Sequence, residues 1–459
     1  MTVLSPPGVV ADVPVAGPRH RLFLLVLVPA AALRVLIMLA YDSAQVYWYD
    51  SFEYLDMAVH PRPGEQFHPA GYSWFLWLLR PFHSVQVIAG IQHALGLGVA
   101  VLIYLLLRRY AVPAWGATLA CVPVLFDPAF LRQEHAILSD LQVYALLLAA
   151  LAVLMWHERV TARAAAVSAL LVALAGLTRT AAAPLLVLVV GYLLVRRAGW
   201  RPVAVAVAAG ALPLVAYAGW FQAAYGRFTL TGADGVSLWA RTMTFADCRV
   251  IEPPRDLARL CPNGTRLDAA SEYVWDAHAS INLMPGGRYA ANALAKRFAV
   301  AAILAQPLDY LRNVAADTSL AFTWIPVAHP RRVSSGLSFP HVSMTLPAGQ
   351  PLIDKVKAEY DPDIHGLTSV EPYGTVLSAY TYPWVLHAPV FGLILLAGGV
   401  GGLWRDRRAL LPWAFSVALL VGPVAVLDFD QRYVTPAIPF ACIAAAMALR
   451  TRTHGRNVP

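Results

Sequence analysis

Apolar runs long enough to cross a bilayer recur along this chain, at 22–41, 85–107, 115–126, 141–156, 164–177, 181–195, 203–221, 384–404, 410–427 and 434–449. A helix of about 20 apolar residues spans the roughly 30 Å hydrocarbon core and satisfies its own backbone polar groups there, which an open sheet cannot do. The run at 115–126 is the shortest and is interrupted by Pro123. Charged residues are scarce, 14% of the chain against about 25% in a soluble domain. The expected fold class is an all-α multi-pass membrane protein of about ten transmembrane helices, with short interfacial helices and a large extracytoplasmic loop segment. The run at 22–41 is too long for a signal-peptide core and no small-residue cleavage site follows it, so it is expected to stay as the first span.

Charge bias sets the orientation. The clusters Arg19/Arg21, Arg108/Arg109, Arg159/Arg163, Arg196/Arg197/Arg201, Arg405/Arg407/Arg408 and Arg450/Arg452/Arg456 fall at every second boundary between runs. Short loops rich in Arg stay cytoplasmic. Both termini are therefore expected inside, in a plasma membrane of the bacterial inner-membrane kind. The domain plan is a cytoplasmic tail at 1–21, an N-terminal membrane core at 22–221 holding a first outer loop at 42–84, an outer and interfacial segment at 222–382, further spans within 383–450 and a tail at 451–459. The short turns at 127–140, 178–180 and 428–433 face outward with these loops. The net charge of +8 then reflects topology and contact with anionic membrane lipids, not nucleic acid.

No Walker loop, no GxGxxG opening a helix and no Gly-x-Ser-x-Gly elbow occurs, so nucleotide-driven transport and nucleotide-sugar chemistry lack a motif. Cys121 and Cys442 lie in apolar runs, whereas Cys248 and Cys261 lie in the outer segment. An oxidising compartment permits a bond between the latter two, and the sequence leaves the pairing open. Neither has a partner at zinc-ligand spacing. Asn263-Gly264-Thr265 matches a glycosylation sequon.

The remaining polar chemistry gathers on the outer face. Asp50 follows the first run closely, within Tyr47-Trp48-Tyr49-Asp50-Ser51-Phe52-Glu53-Tyr54. A carboxylate at that depth can take a proton from a hydroxyl, or cap a helix in a box with Glu53. The aromatics Tyr47, Trp48, Tyr49, Trp74 and Trp77 suit a sugar ring or an interfacial belt. His68 begins His68-Pro69-Ala70-Gly71-Tyr72, where it meets phosphate or sugar or lies free on the surface. Arg34 sits inside the first run, where a cation is costly and either snorkels outward, pairs with a carboxylate or meets a phosphate. The stretch Arg132 to Asp140 holds Arg132, Glu134 and His135. With Arg179 and Arg432 in the next outer turns, several guanidiniums lie at one depth, as a phosphate requires. The 296–324 stretch reads as an interfacial helix pair.

Five blocks in this order resemble the GT-C membrane glycosyltransferases, in the branch of protein O-mannosyltransferases and aminoarabinose transferases. They are Asp50-Ser51-Phe52-Glu53-Tyr54, His68 to Tyr72, Glu134 to Ser139, Leu177-Thr178-Arg179, and Arg432-Tyr433 with Pro436 and Pro439. The mannosyltransferases usually carry Asp-Glu where this chain has Asp50-Ser51. The resemblance implies transfer of a sugar, with inversion, from a polyprenyl-phosphate donor to a hydroxyl on a glycan, lipid or protein. It implies Asp50 as catalytic base and Arg34, Arg132, Arg179 and Arg432 on the donor phosphate. Glu53, His68, Tyr72, Glu134, His135 and Tyr433 would contact substrate. The sequence assigns no certain cofactor and leaves a divalent cation open. The competing reading is a transporter or lipid flippase, which would place its polar groups near the midplane in repeated halves. No internal repeat is visible.

Overall fold

The computed structural model describes residues 20–47, 49–64, 66–331, 339 and 341–450. Trp48, Arg19, Arg452, Arg456 and most of both tails lie outside them. Each expected span falls on a helix. Among the described residues, five helical stretches are long and apolar enough to cross a membrane, Arg21–Ala40, Val85–Arg109, Trp200–Tyr225, Arg407–Val426 and Gln431–Leu449, or six if the bent pair Ala114–Phe126 and Pro128–His135 is one span. The shorter apolar helices are Asp140–Met155, Ala162–Thr178, Thr180–Val195 and Ala388–Trp404. Large apolar side chains such as Leu25, Leu212 and Trp404 stand exposed on these helices, as lipid-facing side chains must in an integral membrane protein.

Two expectations change. The helix behind the run at 384–404 begins at Ala388. The expected outer turn at 127–140 is mostly helix: Ala114–Phe126 breaks by 53° into Pro128–His135. Asp127 accepts from the Ala129 N–H and Pro128 takes the first helical position, a start that needs no N–H there.

The basic clusters meet at one end of the bundle. Arg450 pairs with Asp406 at 2.8 Å, Arg408 lies over the Tyr110 ring, Arg109 donates to the Trp156 carbonyl and Arg196 to that of Glu158. Asp140 and Arg179 lie at the other ends of the helices Asp140–Met155 and Ala162–Thr178. The alternation of charge along the sequence thus corresponds to two ends of one bundle.

Among the described residues the segment at 222–382 has helices and isolated bridges but no strand. Trp239, fully buried, anchors it: its indole N–H donates to the Leu260 carbonyl at 2.9 Å, and Phe298 shares its core. The amphipathic pair is present as Asn292–Ala305 and Pro307–Ser319. Cys248 and Cys261 are bonded. A bridge closing 13 residues of chain removes about 3 kcal/mol of unfolded-state freedom. A Cys248→Ser/Cys261→Ser variant is therefore expected to lose roughly 3 kcal/mol, read as a lower melting point of the purified protein. The same melting point in both would contradict this.

Candidate active site

Asp50 opens the helix Asp50–Val59, one residue beyond its N-cap, Tyr49. Tyr49 has φ 70° and ψ −64°, a γ-turn that is strained for any side chain and costs roughly 1–3 kcal/mol. No side chain caps this helix. Glu53 instead receives Nδ1 of His68 at 2.6 Å, which replaces the capping-box reading. The other ring nitrogen of His68 lies 3.8 Å from the Asp50 carboxylate. The Tyr54 ring packs on His68, and its hydroxyl hydrogen-bonds that of Ser139 at 3.1 Å.

Ser139 leads directly into Asp140, which is almost wholly buried at the start of the next helix. Arg179, in extended backbone just past Thr178, forms an ion pair with Asp140. Arg432 bridges the two acids, with Nε 3.8 Å from Asp140 and Nη1 3.6 Å from Asp50. Tyr433 lies beneath Arg179, 4.7 Å from guanidinium carbon to ring centre. Asp430 fixes this turn by accepting from the Arg432 N–H. A narrow cleft starts at Asp140, Arg179 and Tyr433 and continues between Leu419, Pro423 and Pro436. One end carries the Asp140–Arg179 ion pair with Arg432 beside it, and the rest is apolar.

The structure therefore brings Asp50, Glu53, His68, Arg179, Arg432 and Tyr433 together. Close approach of two turns makes this possible: a Cβ on Gly71 would sit 2.5 Å from the Leu177 carbonyl oxygen. Only glycine allows the His68–Tyr72 block to touch the turn that carries Arg179.

Five other residues go elsewhere. Tyr72 is fully buried and donates to Gln92 at 2.8 Å, so it is part of the wall. Glu134 and His135 are in the core. Arg34 pairs with Glu134 at 2.7 Å and donates to the carbonyls of Val124 and Leu125. Those carbonyls belong to the end of the broken helix Ala114–Phe126, which lacks partners and carries the negative pole of the helix dipole. In this structure Arg34 thus takes the carboxylate partner that the sequence left open beside a phosphate. Arg132 donates to Gln45 at 3.3 Å, beside Tyr41 and Phe339, and is not among the groups around Asp50.

Sequence reasoning misses two participants. Asp140 stands out in the sequence only for its depth. His93 does not stand out at all, yet its Nδ1 meets Glu134 at 2.8 Å and its Nε2 lies 3.3 Å from His135. The signal is present: Gln92-His93 interrupts an apolar run, and polar groups inside a span carry a role by default. Among the described residues no group of three or more His, Cys, Asp or Glu could hold a metal ion.

Burial alone would push the His68 imidazolium down, but Asp50 and then Glu53 outweigh it and raise it above its ordinary range, against some opposition from Arg179. The stabilisation from this raised group is complete below about pH 6.5 and is lost as pH rises through the folded-state value. The difference in melting point between wild type and His68→Gln should thus be largest in mild acid and shrink towards alkaline pH. A difference that stays flat or grows would contradict it.

No model of a known protein family matches the chain, and no curated protein does. Among solved structures, the chain is similar to the archaeal oligosaccharyltransferase AglB from Archaeoglobus fulgidus in complex with an inhibitory peptide and a dolichol-phosphate. The identity is 13% and the TM-score 0.44, over 93% of this chain and 50% of that one. It is also similar to ArnT from Cupriavidus metallidurans bound to undecaprenyl phosphate, at 14% identity and TM-score 0.36, over 93% of this chain and 77% of that one. This chain spans half the length of the oligosaccharyltransferase.

Proposed function

We propose that this protein is an inverting glycosyltransferase that moves a sugar from a polyprenyl-phosphate donor to a hydroxyl on a glycan, lipid or protein. The reaction takes place on the extracytoplasmic face of a bacterial inner membrane that the chain crosses about ten times, with both termini inside. The observation that carries the reading is the pairing of chemistries around Arg432. A partly exposed carboxylate, Asp50, lies on one side of it, and a cleft with a guanidinium head and apolar walls on the other. A carrier with a phosphate head and an isoprenoid tail has that same division. The five sequence blocks support the reading independently.

In this mechanism Asp50 takes the proton of the acceptor hydroxyl as its oxygen attacks the anomeric carbon. The bond from that carbon to the phosphate oxygen breaks, and the electron pair leaves on polyprenyl phosphate. Arg179 and Arg432 face the charge that develops there. His68, held by Glu53, keeps Asp50 facing the acceptor. Arg179 is occupied by Asp140 in this structure, so donor binding exchanges that partner for the phosphate.

The test reconstitutes the protein into liposomes carrying labelled polyprenyl-phosphate sugars, with candidate acceptors outside. Label transferred to an acceptor supports the transferase. Labelled donor that crosses the bilayer chemically unchanged, with no transfer, supports the transporter and sinks this reading.

A further inference from the structure

A polar cavity larger than the cleft at Arg179 lies away from Asp50. It has a volume of about 600 Å³ and lies in the outer segment, between the chain following the disulfide and the helix Pro307–Ser319. That volume is in the range of small-molecule sites. Asn313 and Asp317, one turn apart, line it from the helix, and Asp268 and Arg266 from the opposite wall. Tyr273 and Phe245 add aromatic surface.

The lining groups are held in place. Asp317 pairs with Arg241, which is fully buried and whose Nε and other terminal nitrogen have no hydrogen-bond partner. Asp268 accepts from the Arg331 N–H at 2.8 Å. The bridge between Cys248 and Cys261 fixes the start of the wall that begins at Pro262. His329 also lines the cavity, and its Nε2 is buried without a hydrogen-bond partner. Buried polar atoms of this kind are costly unless something completes them.

One strip of chain joins this cavity to the candidate active site. Asp428 accepts from the Ser271 N–H at 2.8 Å, and Phe429 packs on His329. Arg432, at the other end of the strip, reaches Asp50. Four residues of chain span at most about 14 Å.

We propose that this cavity is the acceptor subsite and that it takes a neutral glycan; the assignment rests on the transferase reading above. The carboxylates of Asp268 and Asp317 accept from sugar hydroxyls, while the Asn313 amide both donates and accepts. Asp317 is paired with Arg241 and Asp268 lies 3.9 Å from Arg331, and Arg266 also lines the wall, so the lining selects neither an anion nor a cation. A peptide acceptor would look for a strand edge, and among the described residues the cavity has none. A glycan that presents one hydroxyl to Asp50 places its preceding sugar residues here.

The experiment measures binding separately from transfer. Purified full-length protein in detergent is titrated by calorimetry with neutral tetrasaccharides of glucose, mannose, galactose and arabinose. Wild type, Asp268→Asn and Asn313→Trp are compared, the last filling the cavity from a half-buried position. At least one tetrasaccharide should bind wild type. Its affinity should fall by about tenfold in Asp268→Asn, as expected for one lost charge-assisted hydrogen bond, and vanish in Asn313→Trp. Melting points within a few degrees of wild type exclude misfolding. Binding lost in Asn313→Trp stands even if no donor is ever turned over, which separates this proposal from the transferase reading. Equal binding in all three proteins, or no binding of any tetrasaccharide to wild type, overturns it.

Discussion

Asp50→Asn should lower sugar transfer by about 10²–10⁴-fold, the usual contribution of a positioned general base, with donor affinity within a few-fold of wild type. The substitution keeps the shape of the side chain and removes its ability to take a proton. Arg179 and Asp140 keep each other, and Arg432 keeps its contact with Asp140, so the guanidinium head of the cleft survives. Asp50 is open to an incoming acceptor, being 29% exposed, whereas Glu53 beside it is 8% exposed and committed to His68. Single-turnover transfer with saturating donor isolates the chemical step. A variant that retains a third or more of the wild-type rate would remove Asp50 from the mechanism.

Glu134→Ala should destabilise the fold by about 3–5 kcal/mol, the cost of leaving one member of a buried ion pair alone. Glu134 is fully buried between Arg34 at 2.7 Å and His93 at 2.8 Å. It packs so closely on the neighbouring helix that a Cβ on Gly96 would lie 2.0 Å from its carboxylate. Without it, Arg34 keeps only backbone carbonyls in an apolar bundle. Removing both charges, as Arg34→Met with Glu134→Gln, should recover much of the loss, because burying two ions costs nearly as much as their attraction returns. Mixed-micelle unfolding of the two variants checks this. A Glu134→Ala protein as stable as wild type but unable to bind donor would instead restore the substrate role suggested for Glu134.

The apolar runs were legible because a bilayer leaves the backbone few options: every run became a helix. Arginine marked every second boundary between runs, and the contacts of Arg450, Arg408, Arg109 and Arg196 gather those clusters at one end of the bundle. The break after Phe126 was not legible, since Pro123 sits inside Ala114–Phe126 without ending it, whereas the chain turns only at Asp127, ahead of Pro128 at the start of the next helix. That break also decided Arg34, whose partners are carbonyls exposed by the kink. The Asp50, His68, Arg179 and Arg432 blocks pointed to one neighbourhood, but direction within it depends on tertiary packing. Tyr72 turns inward to Gln92, and Arg132 turns to Gln45, although both are close in sequence to residues that converge. The large cavity of the outer segment had no motif at all, because its lining comes from stretches that fold together only in three dimensions.

The decisive measurement is the stoichiometry of the carrier. Purified protein is given a labelled polyprenyl-phosphate sugar and an acceptor, and both products are quantified. One polyprenyl phosphate released for each sugar transferred, with inverted anomeric configuration, is the expected result. Carrier that comes back with its sugar still attached, or a product that keeps the donor's configuration, would contradict a direct displacement assisted by Asp50.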